Sequence, residues 1–308
     1  MPIVSPAAES PAVTSPAPLP RVLASELADR APTILVFDSG LGGLSVFREV
    51  ARVRPDAHFI YAADDAAFPY GALDDETLVN RVGHVMDRLI CDMKPDLVVI
   101  ACNTASTLAL PSLRARHTVP FVGTVPAIKP ACLASRTRRV SVLATPGTVR
   151  RDYTVALVRE FASGCDVALV PSDRLAGLAE AAMAGDLVDD ADIAAEIAPC
   201  FVNAGGRRTD TVVLACTHYP LILDRLARLA PWPVTFIDPA PAIARRVTQL
   251  IGAAAPQEAT QSRNEDPPLV RLVSTLRPLE ADRIAIIVGR PVAPPQVLDP
   301  SGPPRGAS

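Results

Sequence analysis

Two cysteines carry the strongest chemical signal in this sequence. Cys102 lies in Ala101-Cys102-Asn103-Thr104-Ala105-Ser106 and Cys216 in Ala215-Cys216-Thr217-His218-Tyr219-Pro220, each directly after a short apolar run. Asn103 and Thr104 are residue types of a helix start. A thiol there faces free backbone N–H groups, so the spacing predicts a lowered pKa and more thiolate for Cys102. Cys216 has in addition an imidazole two residues on, and His218 can stabilise its thiolate or receive its proton. Neither signal decides alone, because an intracellular cysteine is commonly a small buried apolar residue.

Two further segments carry chemistry. In Ile34-Leu-Val-Phe-Asp-Ser-Gly-Leu-Gly-Gly, Asp38 and Ser39 end an apolar run and Gly40, Gly42 and Gly43 lead into a helical pattern. Glycines there permit positive φ and close backbone approach, and a helix N-terminus favours an anion such as an amino-acid carboxylate. The run matches neither GxGxxG nor GxxxxGK[ST], so no nucleotide is expected. Phe68-Pro69-Tyr70-Gly71 reads as a turn whose tyrosine hydroxyl and backbone amide can hold a ligand. Cys216 and His218 are spaced too closely for the usual zinc motifs, and no metal is expected. A Cys–His hydrolase would use Cys216 and His218 but leave Cys102 idle. Inverting a stereocentre without a cofactor needs a base on one face of the carbon and an acid on the other, exchanging roles in reverse. A pair of thiols meets that need and calls for no cofactor.

The elements that must position these groups are short apolar runs: Ile34–Phe37, Phe59–Ala62, Leu97–Ala101, Phe121–Val122, Val140–Ala144, Val167–Val170, Val212–Ala215 and Val234–Ile237. Such runs suit strands buried on both faces of a parallel sheet. Helical patterns over Asp75–Met93, Gly147–Phe161 and Asp189–Val202 alternate with them, which predicts an α/β fold. Asp96–Ser106 and Asp210–Pro220 repeat one pattern: acidic residue, apolar run, Ala-Cys, then small polar residues. Two quasi-symmetric α/β domains with mainly parallel sheets follow, one spanning 31–125 plus about 238–290 and the other 126–237, with a site in the cleft between them. Ligands of open α/β sheets sit at the carboxyl ends of strands, where both thiols fall.

Of the 308 residues, 49% are hydrophobic and 20% charged, and the net charge of −3 gives no footprint for nucleic acid. Six widely spaced cysteines without C-x-x-C fit a reducing cytoplasm. No apolar run is long enough to span a membrane, and the Pro-interrupted start lacks the layout of a signal peptide. Residues 1–30, 254–268 and 291–308 are rich in Pro and polar residues. The first and last are expected to be a disordered leader and tail, with a strand and a helix between 269 and 290.

Together FDSGLGGLSV, PYG, VIACNTAS and ACTHYPL, in that order over Thr33–Ile251, resemble the glutamate racemase family within the aspartate/glutamate racemase superfamily. The resemblance implies cofactor-independent racemisation of glutamate, supplying D-glutamate for peptidoglycan. It implies Cys102 as the thiol acting on the D-enantiomer and Cys216 on the L-enantiomer, with Asp38 and His218 assisting proton transfer. Substrate contacts would come from Asp38, Ser39, Tyr70, Gly71, Asn103, Thr104, Thr217 and His218, and Glu180 in LAGLAE resembles the family's further acidic residue near the second cysteine. A homodimer is one assembly the resemblance allows. The segment before PYG reads AADDAAF where the family usually has a pattern like GDTAR. Aspartate racemase or another relative of the superfamily is the nearest alternative, followed by a non-catalytic amino-acid binding protein.

Overall fold

The computed structural model describes residues 30–254 and 270–300. Residues 1–29 of the expected leader, most of the 254–268 segment and residues 301–308 of the expected tail lie outside the described residues. In chain order the strands are β1 (Thr33–Asp38), β2 (His58–Ala63), β3 (Leu97–Ile100), β4 (Phe121–Gly123), β5 (Arg139–Ala144), β6 (Asp166–Pro171), β7 (Asn203–Ala204), β8 (Arg207–Arg208), β9 (Thr211–Ala215), β10 (Thr235–Ile237), β11 (Val270–Ser274) and β12 (Gln296–Val297). They form a sheet ordered β12-β11-β2-β1-β3-β4 and another ordered β10-β9-β5-β6, while β7 and β8 make a small hairpin. Every neighbouring pair in the two larger sheets is parallel.

Parallel neighbours require crossovers, and the helices supply them. They are α1 (Leu44–Val53), α2 (Asp75–Met93), α3 (Asn103–Arg116), α4 (Ile128–Ala134), α5 (Pro146–Val149), α6 (Asp152–Phe161), α7 (Leu175–Ala184), α8 (Asp190–Ile197), α9 (Leu223–Leu229), α10 (Ala240–Ile251) and α11 (Ala281–Val288). Helices cover both faces of the central strands, which is why β1, β3 and β9 are almost wholly apolar. Along β1, Ile34 and Val36 pack with Phe47 and Phe59 on one side, and Leu35 and Phe37 with Leu78 and Met86 on the other. In the second sheet Leu143 and Leu214 face one core, and Val142 and Val213 the opposite one.

Three expectations are corrected. The helix expected over Gly147–Phe161 is two pieces, because the chain turns extended at Arg151; Thr154 Oγ1 donates to the freed Thr148 carbonyl at 2.7 Å. The helix expected over Asp189–Val202 ends at Ile197 and gives way to a tighter turn at Ala198–Cys200, where Pro199 has no N–H for the helical ladder. Residues 291–300 are not a disordered tail. β12 pairs with β11 at the sheet edge and Leu298 is buried, its N–H donating to the Ser274 carbonyl at 2.7 Å. Prolines are tolerated beside such an edge strand, so composition misled there. No described helix is long and apolar enough to cross a membrane.

Candidate active site

Strand register assembles the site. Phe37 of β1 pairs with Ile100 of β3, and the Ala101 N–H then bonds to the Phe37 carbonyl at 2.8 Å, bringing Cys102 beside Asp38 and Ser39. In the second sheet Ala144 of β5 pairs with Ala215 of β9, so Thr145 and Cys216 emerge together. The carboxyl ends of the two sheets face one another. One narrow cavity between them is lined by Cys102 and Cys216 and by Ser39, Tyr70, Gly71, Asn103, Thr104, Thr217 and His218.

The glycines of the first turn work by close approach. A Cβ on Gly42 would lie 2.4 Å from His218 Nδ1 and 2.5 Å from Thr217 Oγ1, and one on Gly43 would lie 2.6 Å from Asp38 Cβ. None of Gly40, Gly42 and Gly43 has positive φ, so that part of the expectation is corrected. Ser45, in the first turn of α1, ties the turn to the other sheet by donating to the Thr217 carbonyl at 3.1 Å. Thr217 Oγ1 in turn donates to Asp38 Oδ1 at 3.1 Å.

The two thiols have unequal surroundings. Cys102 caps α3 and is buried, with Ser39 Oγ 3.9 Å from its sulfur. Burial pushes its pKa up to about 12, aided by the nearby charge of Asp38, and the helix-start N–H of Ala105 recovers only part of that. The expectation of a lowered pKa is therefore corrected: desolvation outweighs the helix terminus. Asp38 is itself wholly buried, and burial raises its pKa to about 6 despite the charge of His218 and the N–H groups of Gly40 and Gly43.

Cys216 lies 3.9 Å from His218 Nδ1, and His218 Nε2 lies 2.6 Å from Glu180 Oε2. Burial opposes charge on His218. Hydrogen bonds to Cys216 and Glu180, and the charges of Cys216 and Asp38, nonetheless hold its pKa well above the usual imidazole value. Glu180 reaches from α7 and also accepts the Leu41 N–H at 3.0 Å, so it spans the two sheets' loops. The phenyl ring of Phe68 is tilted against the imidazole, with ring centroids 5.2 Å apart.

Polar groups for a ligand line the remaining wall. Both side-chain polar atoms of Asn103 are buried with no hydrogen-bond partner within the protein. Thr104 Oγ1 meets Thr145 Oγ1 at 3.1 Å. Tyr70 lines the cavity, but its hydroxyl donates to Asp64, leaving the loop's main chain as the ligand-facing part. Sequence reasoning missed Thr145, and it named Phe68 only as the first residue of the turn at Tyr70. Thr145 follows β5 as Cys216 follows β9, so the strand-end rule applied to β5 finds it.

The chain is similar to known racemases in both sequence and fold. A glutamate racemase of Brucella ovis is 54% identical over 233 residues, covering 75% of this chain and 84% of the relative. The crystal structure of Escherichia coli glutamate racemase in complex with L-glutamate and the activator UDP-MurNAc-Ala superposes with a TM-score of 0.75 at 35% identity, covering 87% of this chain and 98% of that one. Glutamate racemase from Aquifex pyrophilus gives 0.60 at 26% identity, covering 86% and 98%. The sequence profile of the Asp/Glu/Hydantoin racemases matches residues 42–247, and the chain belongs to that family.

Proposed function

We propose that this protein interconverts L- and D-glutamate by a two-thiol acid/base mechanism, supplying D-glutamate for peptidoglycan. The observation that carries this reading is the placement of Cys102 and Cys216, from the strand ends of two facing sheets, on one cavity. In the L-to-D direction the Cys216 thiolate takes the α-proton and becomes a thiol. The Cys102 S–H then delivers its proton to the opposite face of the carbanion and becomes the thiolate. The D-to-L direction reverses both steps. The raised pKa of the buried Cys102 thiol suits its part as donor. His218, held charged by Glu180, balances the thiolate of Cys216, and Asp38 exchanges protons beside Cys102. Ser39, Asn103, Thr104, Thr217 and the main chain of Tyr70 and Gly71 hold the substrate's carboxylates and amine. No cofactor takes part in this scheme.

This reading keeps the domain division at about residues 125 and 238, a cytoplasmic site of action, and a homodimer that sedimentation of the full chain tests. Activity is tested by incubating the protein with L-glutamate in D₂O. D-Glutamate labelled at Cα is the expected product, and L-aspartate run in parallel separates the glutamate reading from the aspartate one. Recovery of unlabelled L-glutamate alone would leave a binding protein.

A further inference from the structure

Thr275 lies on the loop that leaves β11, beyond the residues matched by the family profile. The register of β11 on β2 pairs Ser274 with Ala63, so Thr275 and Asp64 emerge side by side at the carboxyl end of the sheet. There Thr275 Oγ1 donates to Asp64 Oδ1 at 2.7 Å and accepts the Ala66 N–H at 3.0 Å. The Asp64 carboxylate is wholly buried; its other oxygen accepts the Tyr70 hydroxyl, and Arg81 bridges both oxygens. Asp65 grips the same loop from the other side, taking the N–H groups of Thr275 and Leu276 at 2.9 and 2.8 Å. The Asp-Asp pair in AADDAAF is thereby accounted for: one carboxylate holds the loop after β11, and the other joins that loop to Tyr70.

We propose that Thr275 is a positioning residue for the substrate loop Phe68–Gly71. It orients Asp64, Asp64 fixes the Tyr70 hydroxyl, and Tyr70 sets the place of the Gly71 main chain in the cavity wall. Buried polar networks are cooperative, and without the Thr275 hydroxyl Asp64 Oδ1 keeps only its contact with Arg81. Gly71 has little room to drift without consequence, since its Cα side already meets Thr145 across the cavity mouth, where a Cβ would lie 2.9 Å away. The kinetic consequence rests on the glutamate reading above; the structural one does not.

Thr275→Val preserves shape and removes the hydroxyl, and Thr275→Ser restores it. The expected result for Thr275→Val is faster amide hydrogen exchange in the peptide spanning residues 64–73 and a KM for L-glutamate raised about tenfold, equivalent to about 1.4 kcal/mol. The same variant should keep kcat within about threefold, since the thiols are untouched, and Thr275→Ser should return exchange and KM to wild type. Unchanged exchange in 64–73 overturns the proposal whatever the activity. So does a loss of kcat and melting temperature together that serine does not repair. A wild-type protein that fails to racemise glutamate would count against the functional reading, while the exchange measurement would still decide the role of Thr275.

Discussion

Glu180→Gln separates charge from shape at the second thiol. Glutamine keeps an oxygen that can accept the Leu41 N–H, now 3.0 Å from the carboxylate, so the loop contact survives. What disappears is the negative charge 2.6 Å from His218 Nε2, on a side chain that is four-fifths buried. A hydrogen bond to a charged group contributes roughly 1.5–3 kcal/mol, so the imidazolium that balances the Cys216 thiolate is weakened by about 10- to 150-fold in equilibrium terms. The expected outcome is a fall of that order in kcat/KM for L-glutamate, with a melting temperature close to wild type. The sign of the pH effect follows. Removing the Glu180 charge lets the pKa of His218 fall, so activity that needs the imidazolium is lost at lower pH than in wild type as pH rises. Circular-dichroism-monitored racemisation across pH 6–10 checks both points, a range chosen to span roughly the ordinary imidazole and thiol values. Wild-type kcat/KM with an unmoved alkaline limb would refute the charge relay from Glu180 through His218 to Cys216.

Cys102→Ala and Cys216→Ala are each expected to abolish racemisation while the thermal unfolding curve stays cooperative; chiral chromatography showing normal turnover in either would sink the two-thiol mechanism. Gly42→Ala places a methyl 2.4 Å from His218 Nδ1, so the imidazole or the turn must shift by about 1 Å, a misplacement that costs on the order of a hundredfold in steady-state kcat/KM. Asp38→Asn is expected to stabilise the protein at neutral pH while impairing catalysis. The native carboxyl has its pKa raised from 3.8 to about 6, so the folded state binds more protons between those values and stability falls as pH rises through that window. The ionised form thus costs the wild type up to about 3 kcal/mol near pH 7, and the advantage of Asn in urea titrations should shrink toward pH 4.

The central strands were legible because both their faces are covered, which leaves runs such as Leu97–Ile100 with no polar side to blur them. The thiols were legible because each follows such a run and so must surface at a strand end. Thr145 obeys the same geometry but carries only a hydroxyl, a group common in every turn, and nothing in its type set it apart. The raised pKa of Cys102 was hidden for another reason: helix-start residues can be read along the chain, whereas burial by the facing sheet is a long-range fact. Tyr70 fails similarly. Its partner Asp64 is six residues away and Asp64's partner Thr275 is more than two hundred away, so the commitment of the hydroxyl appears only when β11 is docked on β2.

The unequal support of the two thiols has a local cause in how the chain continues after each strand. After Cys102 it enters α3, fourteen residues long, with Cys102 at the N-cap position, where the N–H of Ala105 lowers the pKa of the thiol although burial still raises it. After Cys216 it enters only a tight turn over Tyr219–Ile222, whose Pro220 carries no N–H, and the helix that follows is seven residues long. Backbone donors and an aligned helix dipole are therefore available to the first thiolate and scarce at the second. An imidazole held charged by a carboxylate can do the same electrostatic work from a side chain, and it stands at this turn, with the Phe68 ring tilted against it. His218 and Glu180 occupy the half of the site where the helix terminus is missing. On the two-thiol reading proposed above, the two halves of the site support their thiols by different means.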